Sequence, residues 1–570
     1  MNSEIPSKPP VDAASSDPVD GSSAAHAAAV AESQALIRAE KGSVAVSAMI
    51  VAFGILMSRI LGLIRDVMTA KYFPTDARDA FLAAFRLPNL FRRILGEGSL
   101  SVSFIPIFIE ILSGKKTSSK TETEARAREL VSIVFSILMT ISFTITVLAT
   151  IFMEEIVGTV VQGFSPAKIE LTVELGRIMF GFLILVSLYA YFMAILNSLK
   201  KFAVAALAPC FLNLAMIGAA LISGRLANEA TVLAWSVIVG GVLQMAILIP
   251  GVVKSGFLPR FTFKWNNPDV IQMFKTILPS MFGMSIMQIT QIVNMSFASF
   301  LPAGTLSYLY FADRILELPL SLVVVSVGSA LLPTLAKYSA EGNRDAMGDT
   351  INHYIRLIIF VALPAALGMF VLAQPITEVL FLRGEFKYAD AVQTAQVIRV
   401  YSFSVIVASG VRILAQGFYA IKNTWYPALA GAVALISHVI FAFVLTRTFK
   451  IEGLAAASVA SGTVNLLMLA TAYNSWVGSL HLKTLFKSFG KFMVCGAAMI
   501  GSLQAYPFVK QALTGRVPGA RTITLLAMIL LGALVYMACA HLLRIPEFRE
   551  TAATFGTKFQ RKLSRFRKKS

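Results

Sequence analysis

Residues 44–66 read VAVSAMIVAFGILMSRILGLIRD, an apolar run whose far half suddenly carries Ser58, Arg59, Gly62, Arg65 and Asp66. The run is long enough to cross a hydrocarbon core as a helix. Residues 79–110 repeat the theme, with Asp79, Arg86, Arg92, Arg93 and Glu97 in a second apolar stretch broken by Pro88 and Pro106. A charge at the bilayer centre costs roughly 2.5–3.5 kcal/mol on insertion scales, so such side chains face a polar cavity and not lipid. The pattern predicts a membrane protein with a cationic interior and an anionic ligand.

Composition extends this reading to the whole chain. Of 570 residues, 56% are hydrophobic and only 14% charged, against roughly a quarter charged in a soluble domain. Apolar stretches long enough to span recur to residue 543, and the alternating pattern of a membrane barrel is absent. The predicted fold is all-α and polytopic, with about fourteen transmembrane helices by length. They fall near 44–66, 79–111, 130–153, 171–197, 202–223, 231–253, 270–301, 305–336, 352–376, 391–421, 425–446, 452–476, 487–508 and 521–543. The net charge of +19 follows topology and excludes a nucleic-acid reading. With the N-terminus inside, tails and loops place roughly 28 Lys/Arg on one side and 11 on the other. Both termini are therefore expected in the cytoplasm of a multi-pass protein. Residues 1–43 read as a disordered polar extension, and 544–570 as a basic tail anchoring orientation. Cys210, Cys495 and Cys539 lie within spans and read as small buried hydrophobes.

Leu87-Pro88, Gly98-Ser99 and Pro106 in span two are echoed by Leu318-Pro319, Gly328-Ser329 and Pro333 in span eight, 231 residues on (319 minus 88). Six spans separate the copies, so both cross in the same direction. That predicts a parallel pseudo-repeat of two six-helix lobes, 44–253 and 254–476, followed by a helix pair at 477–543.

Arg59, Gly62 and Arg65 or Asp66 share one helix face. Asp313-Arg314 and Glu317 enter span eight too deep for snorkelling. Should spans one, two and eight meet, Arg59, Arg65, Arg92 and Arg314 surround one cavity. Arginine suits phosphate there, because its planar fork donates two parallel hydrogen bonds and stays charged when desolvated. Arg65 with Asp66 and Arg314 with Glu317 are alternatively internal pairs. Arg93 and Glu97, four apart, read as a structural pair, and Asp313 and Glu317 as gate or structural residues. Arg412, mid-span, faces the same cavity or a lateral opening, while Arg383-Gly384-Glu385 reads as an outer loop. Gln288, Gln291 and Asn294 form a polar stripe on span seven, expected to hydrogen-bond between helices. Gly114-Lys115-Lys116-Thr117 lacks the order of a P-loop. No enzyme signature, metal-ligand cluster or cofactor motif is present, so the chain is expected not to be an enzyme.

The run Ser58-Arg59-Ile60-Leu61-Gly62-Leu63-Ile64-Arg65-Asp66 resembles the opening signature of the MurJ (MviN) family of lipid II flippases. The likeness continues through Asp79-Ala80-Phe81, Phe85 to Arg93, Glu97-Gly98, Phe104-Ile105-Pro106, Ala312-Asp313-Arg314, Leu332-Pro333, Leu380-Phe381 and Gln416-Gly417-Phe418-Tyr419. The resemblance implies the multidrug/oligosaccharidyl-lipid/polysaccharide exporter fold in a bacterial inner membrane. It implies a lipid II substrate moved between leaflets by alternating access, and a peptidoglycan-synthesis complex as candidate partner. By motif position it assigns cavity arginines to Arg59, Arg65, Arg92 and Arg314 and functional acids to Asp66 and Asp79. The last two helices would hold the polyprenyl tail. A coupling ion or the membrane potential would drive the cycle, worth roughly 2.3 kcal/mol per charge per 100 mV. An exporter of another polyprenyl-linked glycan, or of drugs, on the same fold is the alternative.

Overall fold

The computed structural model describes residues 49–94, 100–114, 119–223, 229–327, 331–514, 517 and 519–550. The extension 1–43, Glu97, the Gly98-Ser99 and Gly328-Ser329 pairs, Lys115 to Thr117 and most of the basic tail lie outside the described residues.

Every regular element among the described residues is helical. The first half comprises α1 (49–72), α2 (Thr75–Arg92), α3 (Leu100–Leu112), α4 (Lys120–Ile151), α5 (Met153–Val160), α6 (Pro166–Met179), α7 (Phe182–Ser198), α8 (Phe202–Ser223), α9 (Glu229–Ala246) and α10 (Ile249–Lys254). The second comprises α11 (Pro268–Ser299), α12 (Thr305–Val327), α13 (Leu331–Ala340), α14 (Arg344–Phe381), α15 (Tyr388–Ala420) and α16 (Trp425–Trp476). Then come α17 (Leu482–Leu503), α18 (Tyr506–Leu513) and α19 (Ala520–Leu542).

Among the described residues, nine helical segments are long and apolar enough to cross a membrane. The longest, α16, folds back on itself at Lys450, whose φ of 46° is non-helical. Gly453 sits so close to the Leu445 carbonyl there that a Cβ would collide with it. Counting α16 as two crossings, and adding α1, α2 with α3, α11, and α12 with α13, brings the total to fourteen. Those four additions are the interrupted or polar helices. Lipid offers backbone groups no hydrogen-bond partners, so where such a helix is interrupted the freed groups must be satisfied within the bundle.

α2, α3, α4, α6, α7, α8 and α9 pack among themselves, as do α12, α14, α15 and α16, and the halves meet mainly where α2 touches α12 and α11 touches α3. α17 and α19 pack on each other and on α14, with a separate core around Phe360, Phe492, Met528 and Tyr536. An even number of crossings returns the chain to the face from which α1 starts, called here the near face.

Candidate functional site

The charged side chains lie along the seam between the two halves. Midway along it, α1 presents Gly62, Arg65 and Asp66 toward α12. The Asp66 carboxylate is buried, 2% exposed. Its Oδ1 accepts from Arg65 Nε (3.0 Å), Arg65 Nη2 (2.7 Å) and the Tyr310 hydroxyl (3.0 Å). Its Oδ2 accepts from Arg314 Nε at 2.9 Å. Arg314 Nη1 donates to Glu317 at 2.8 Å, and Arg65 Nη1 donates to Asn213 of α8 at 3.1 Å. Asn213 in turn donates to the Ser58 carbonyl. Gly62 is required by this packing, because a Cβ would collide with Arg314 Nη2. Two guanidinium groups thus face two carboxylates, and the charge excess read from the sequence is neutralised at this point.

Toward the far face the seam is sealed. Asp79 of α2 acts in trans as the N-cap of α12: its carboxylate accepts from Gly304 N (2.7 Å), Ser307 N (3.0 Å) and Ser307 Oγ (2.6 Å). A helix N-terminus has unsatisfied N–H groups and a partial positive charge, so a carboxylate there is doubly favoured. Lys168 of α6 balances it, with Nζ 2.9 Å from Asp79 and 2.8 Å from Asp76. Neighbouring Arg78 is fully buried, with Nη2 3.6 Å from Asp390 of α15, which also accepts from the Tyr308 hydroxyl at 2.5 Å. The Arg383-Gly384-Glu385 turn closes over the end of α1, where Glu385 N donates to the Lys71 carbonyl at 2.8 Å. Gly163 N donates to Ser299 Oγ at 3.1 Å. Between Arg65, Asp66, Arg78 and Tyr310 remains a cavity large enough for about one water molecule.

At the near face, among the described residues, an ion pair bridges the seam. Arg126 of α4 donates from Nε (2.9 Å) and Nη2 (2.7 Å) to the two oxygens of Asp269 at the start of α11. This bidentate geometry is the strong form of an Arg–carboxylate pair.

The remaining predicted residues are dispersed. Arg59 is exposed on α1, and no hydrogen bond or ion pair is seen for it among the described residues. Arg92 is half-buried and donates to Asn89 at 2.7 Å, while Arg93 is exposed at the end of α2. Its proposed partner Glu97 lies outside the described residues. Asp313 lies in electrostatic reach of Arg86 and Glu317, next to Tyr401 of α15. Arg412 is exposed on α15, apart from the Arg65–Arg314 cluster. Sequence reasoning did not place Arg78, Arg86, Asn213, Tyr310 or Lys168 at the site. Arg86 had a signal, falling seven residues after Asp79 and seven before Arg93 on one face of α2.

The family model "Lipid II flippase MurJ" matches residues 69–515. The chain belongs to the MurJ lipid II flippase family. A probable lipid II flippase MurJ of Bdellovibrio bacteriovorus is 39% identical over 511 residues, covering 89% of this chain and 96% of that protein. A lipid II flippase MurJ solved in an inward closed conformation superposes with a TM-score of 0.72 at 24% identity, covering 87% of this chain and 98% of that one. An inward-facing multidrug resistance MATE transporter of the MOP superfamily superposes with a TM-score of 0.64 at 14% identity, covering 77% and 99%. These likenesses show a MurJ- and MATE-type fold in a multi-pass membrane protein.

Proposed function

We propose that this MurJ-family chain is a lipid II flippase of the bacterial inner membrane. In this reading it moves the undecaprenyl-pyrophosphate-linked precursor from the cytoplasmic to the periplasmic leaflet by alternating access. The near face is cytoplasmic, both termini with it. The lobes are 44–253 and 254–476, and the pair at 477–543 provides a groove for the lipid tail. One observation carries the reading: Asp66 of the first lobe holds Arg314 of the second in a buried cluster between them.

That cluster suggests how an anion couples to movement. While the seam is closed, Asp66 is the counter-ion of both Arg65 and Arg314, and neither is left free for a substrate. Separating α1 from α12 would strip Arg314 of Asp66, and a pyrophosphate would then replace the lost carboxylate. Arg59 and Arg92 would extend the cationic lining toward the near face. Substrate and closed seam thus compete for the same guanidinium, which is the differential affinity any ligand-driven shift requires. The residue types present serve binding and movement, not bond cleavage, and the membrane potential would supply the drive.

The test is outer-leaflet accessibility of lipid II in cells whose own flippase is replaced by this chain. Wild type should restore accessibility, and Arg65→Ala and Arg314→Ala should lower it at least tenfold at matched membrane levels. Well-expressed variants that restore it fully would remove the arginines from the mechanism. Failure of the wild type, with its folding shown intact, would favour another polyprenyl-linked glycan or a drug as cargo.

A further inference from the structure

Arg78 is fully buried, and the cluster around Asp66 makes no use of it. It stands on the far-face side of Arg65. Arg65 lies seven residues before the end of α1 (72 minus 65), and Arg78 three residues into α2 (78 minus 75). At 1.5 Å per residue these are depths of roughly 10 Å and 5 Å from the far-face ends of the two helices. Both side chains line the same small cavity, together with Asp66, Thr69 and Tyr310.

Most of the Arg78 guanidinium is unserved. Nη2 donates to Thr75 Oγ1 at 2.8 Å and lies 3.6 Å from Asp390. Nε and Nη1 have no hydrogen-bond partner among the described residues. The Phe386 ring covers the group, its centroid 5.0 Å from Cζ, and Asp79 and Tyr308 stand within electrostatic reach. The hydrogens on Nε and Nη1 leave different edges of the planar fork, so the one water that the cavity admits does not serve both. Asp390, for its part, does not need the arginine. One of its oxygens accepts from the Tyr308 hydroxyl at 2.5 Å and the other from Lys387 N at 2.8 Å. Such a pair is a poor structural tie, because a buried charge with unmade hydrogen bonds is costly.

We propose that Arg78 is a second phosphate-binding site, one step nearer the far face than Arg65, which receives the substrate's pyrophosphate as it leaves the central cluster. Its carboxylate neighbour and its aromatic cover, Asp390 and Phe386, belong to the second half, whereas Arg78 and Thr75 belong to the first. Parting of the halves at the far face removes both at once and leaves two edges of the guanidinium open, Nε with Nη2 and Nη1 with Nη2. Each edge matches two oxygens of a phosphate. The pyrophosphate thus completes on Arg78 the hydrogen bonds that the closed seam leaves unmade, which gives it a preference for the form opened outward. The role in moving lipid II rests on the function proposed above, while the binding of a pyrophosphate ester by Arg78 is tested without it.

The experiment measures equilibrium binding of farnesyl pyrophosphate, a short soluble polyprenyl pyrophosphate, to the full chain in lipid nanodiscs by calorimetry. Farnesol serves as the control for the hydrocarbon alone. Arg78→Gln should weaken the pyrophosphate-dependent binding roughly tenfold, and Arg78→Lys, which keeps the charge and loses the fork, by roughly threefold. Asp390→Asn removes the same ion pair but should tighten binding, because it frees Arg78. A purely structural pair predicts instead that Arg78→Gln and Asp390→Asn, which break one contact, shift affinity in the same direction. Helicity and thermal unfolding are recorded for every variant, and if Arg78→Gln does not fold, Arg78→Lys and Asp390→Asn decide the matter. Wild-type affinity in the Arg78 variants, or weakened binding in Asp390→Asn, overturns the proposal. Lipid II flipping in vesicles is scored separately. A chain that binds farnesyl pyrophosphate through Arg78 yet moves no lipid II would count against the transport reading and leave this site standing, whereas a wild type that binds no pyrophosphate would overturn both.

Discussion

Gly62 shows how a single residue holds the central cluster together. Its missing Cβ is the space occupied by Arg314 Nη2, and that arginine is the second lobe's hold on Asp66. Gly62→Ala should leave the fold intact, because the group displaced is the end of a flexible side chain. Thermal unfolding should shift by less than about 1 kcal/mol, while lipid II exposure in replacement cells falls sharply. A variant with normal exposure would show that the Arg314–Asp66 contact is dispensable. The helix face carrying Gly62, Arg65 and Asp66 was legible from spacing, and so was the intramembrane Asp313-Arg314 pair. Arg65–Asp66 and Arg314–Glu317 were readable as alternative internal pairs and both form, whereas the pair between Asp66 and Arg314 was not readable, because nothing local brings α1 against α12. Tyr310 and Asn213 carry no local signal. They matter only because folding brings α8 and α12 against α1.

At the level of elements, α12 begins on a carboxylate that belongs to another helix. Asp79→Asn removes the charge from that cap and one of the two partners of Lys168. A charge in a partly buried helix-terminus geometry is worth up to ~2 kcal/mol, so the far-face seal should loosen. In a cysteine-free background carrying Thr305→Cys, buried in the closed seam, an impermeant maleimide added outside should label the Asp79→Asn protein several-fold faster. Equal labelling would show that the other cross-links suffice. The α16 turn gives a second expectation. Lys450 adopts φ 46° and ψ −120°, a region that suits glycine and costs other residues of order 1–3 kcal/mol. Lys450→Gly should raise thermal stability by roughly 1 kcal/mol without changing transport. Apolar length and turn residues made the helices themselves readable, including the split between spans eleven and twelve. Trans-capping was not readable, since no local pattern shows that Asp79 will meet Gly304 and Ser307, 225 and 228 residues away.

For the molecule as a whole, the two halves are tied together at both faces: by the Asp79, Asp390 and Glu385 contacts at one, and by Arg126–Asp269 at the other. Arg126→Asp alone should favour an opening at the near face, read as a wider separation between labels at 120 and 337. Combined with Asp269→Arg, the separation should return toward wild type, since the swapped pair restores the attraction; a double variant as open as the single one would rule out the ion pair as the clamp. The sequence by itself determined the class of molecule, its helical crossings and the charged helices of the interior. Those properties follow from hydrophobic length and the cost of burying ions, both local along the chain. Only the tertiary structure decided that Asp66 also holds Arg314 across the seam and that Asp79 caps a helix in the other half. Such contacts join residues more than a hundred positions apart, and their energy depends on distance and orientation in space, for which helical periodicity carries no information.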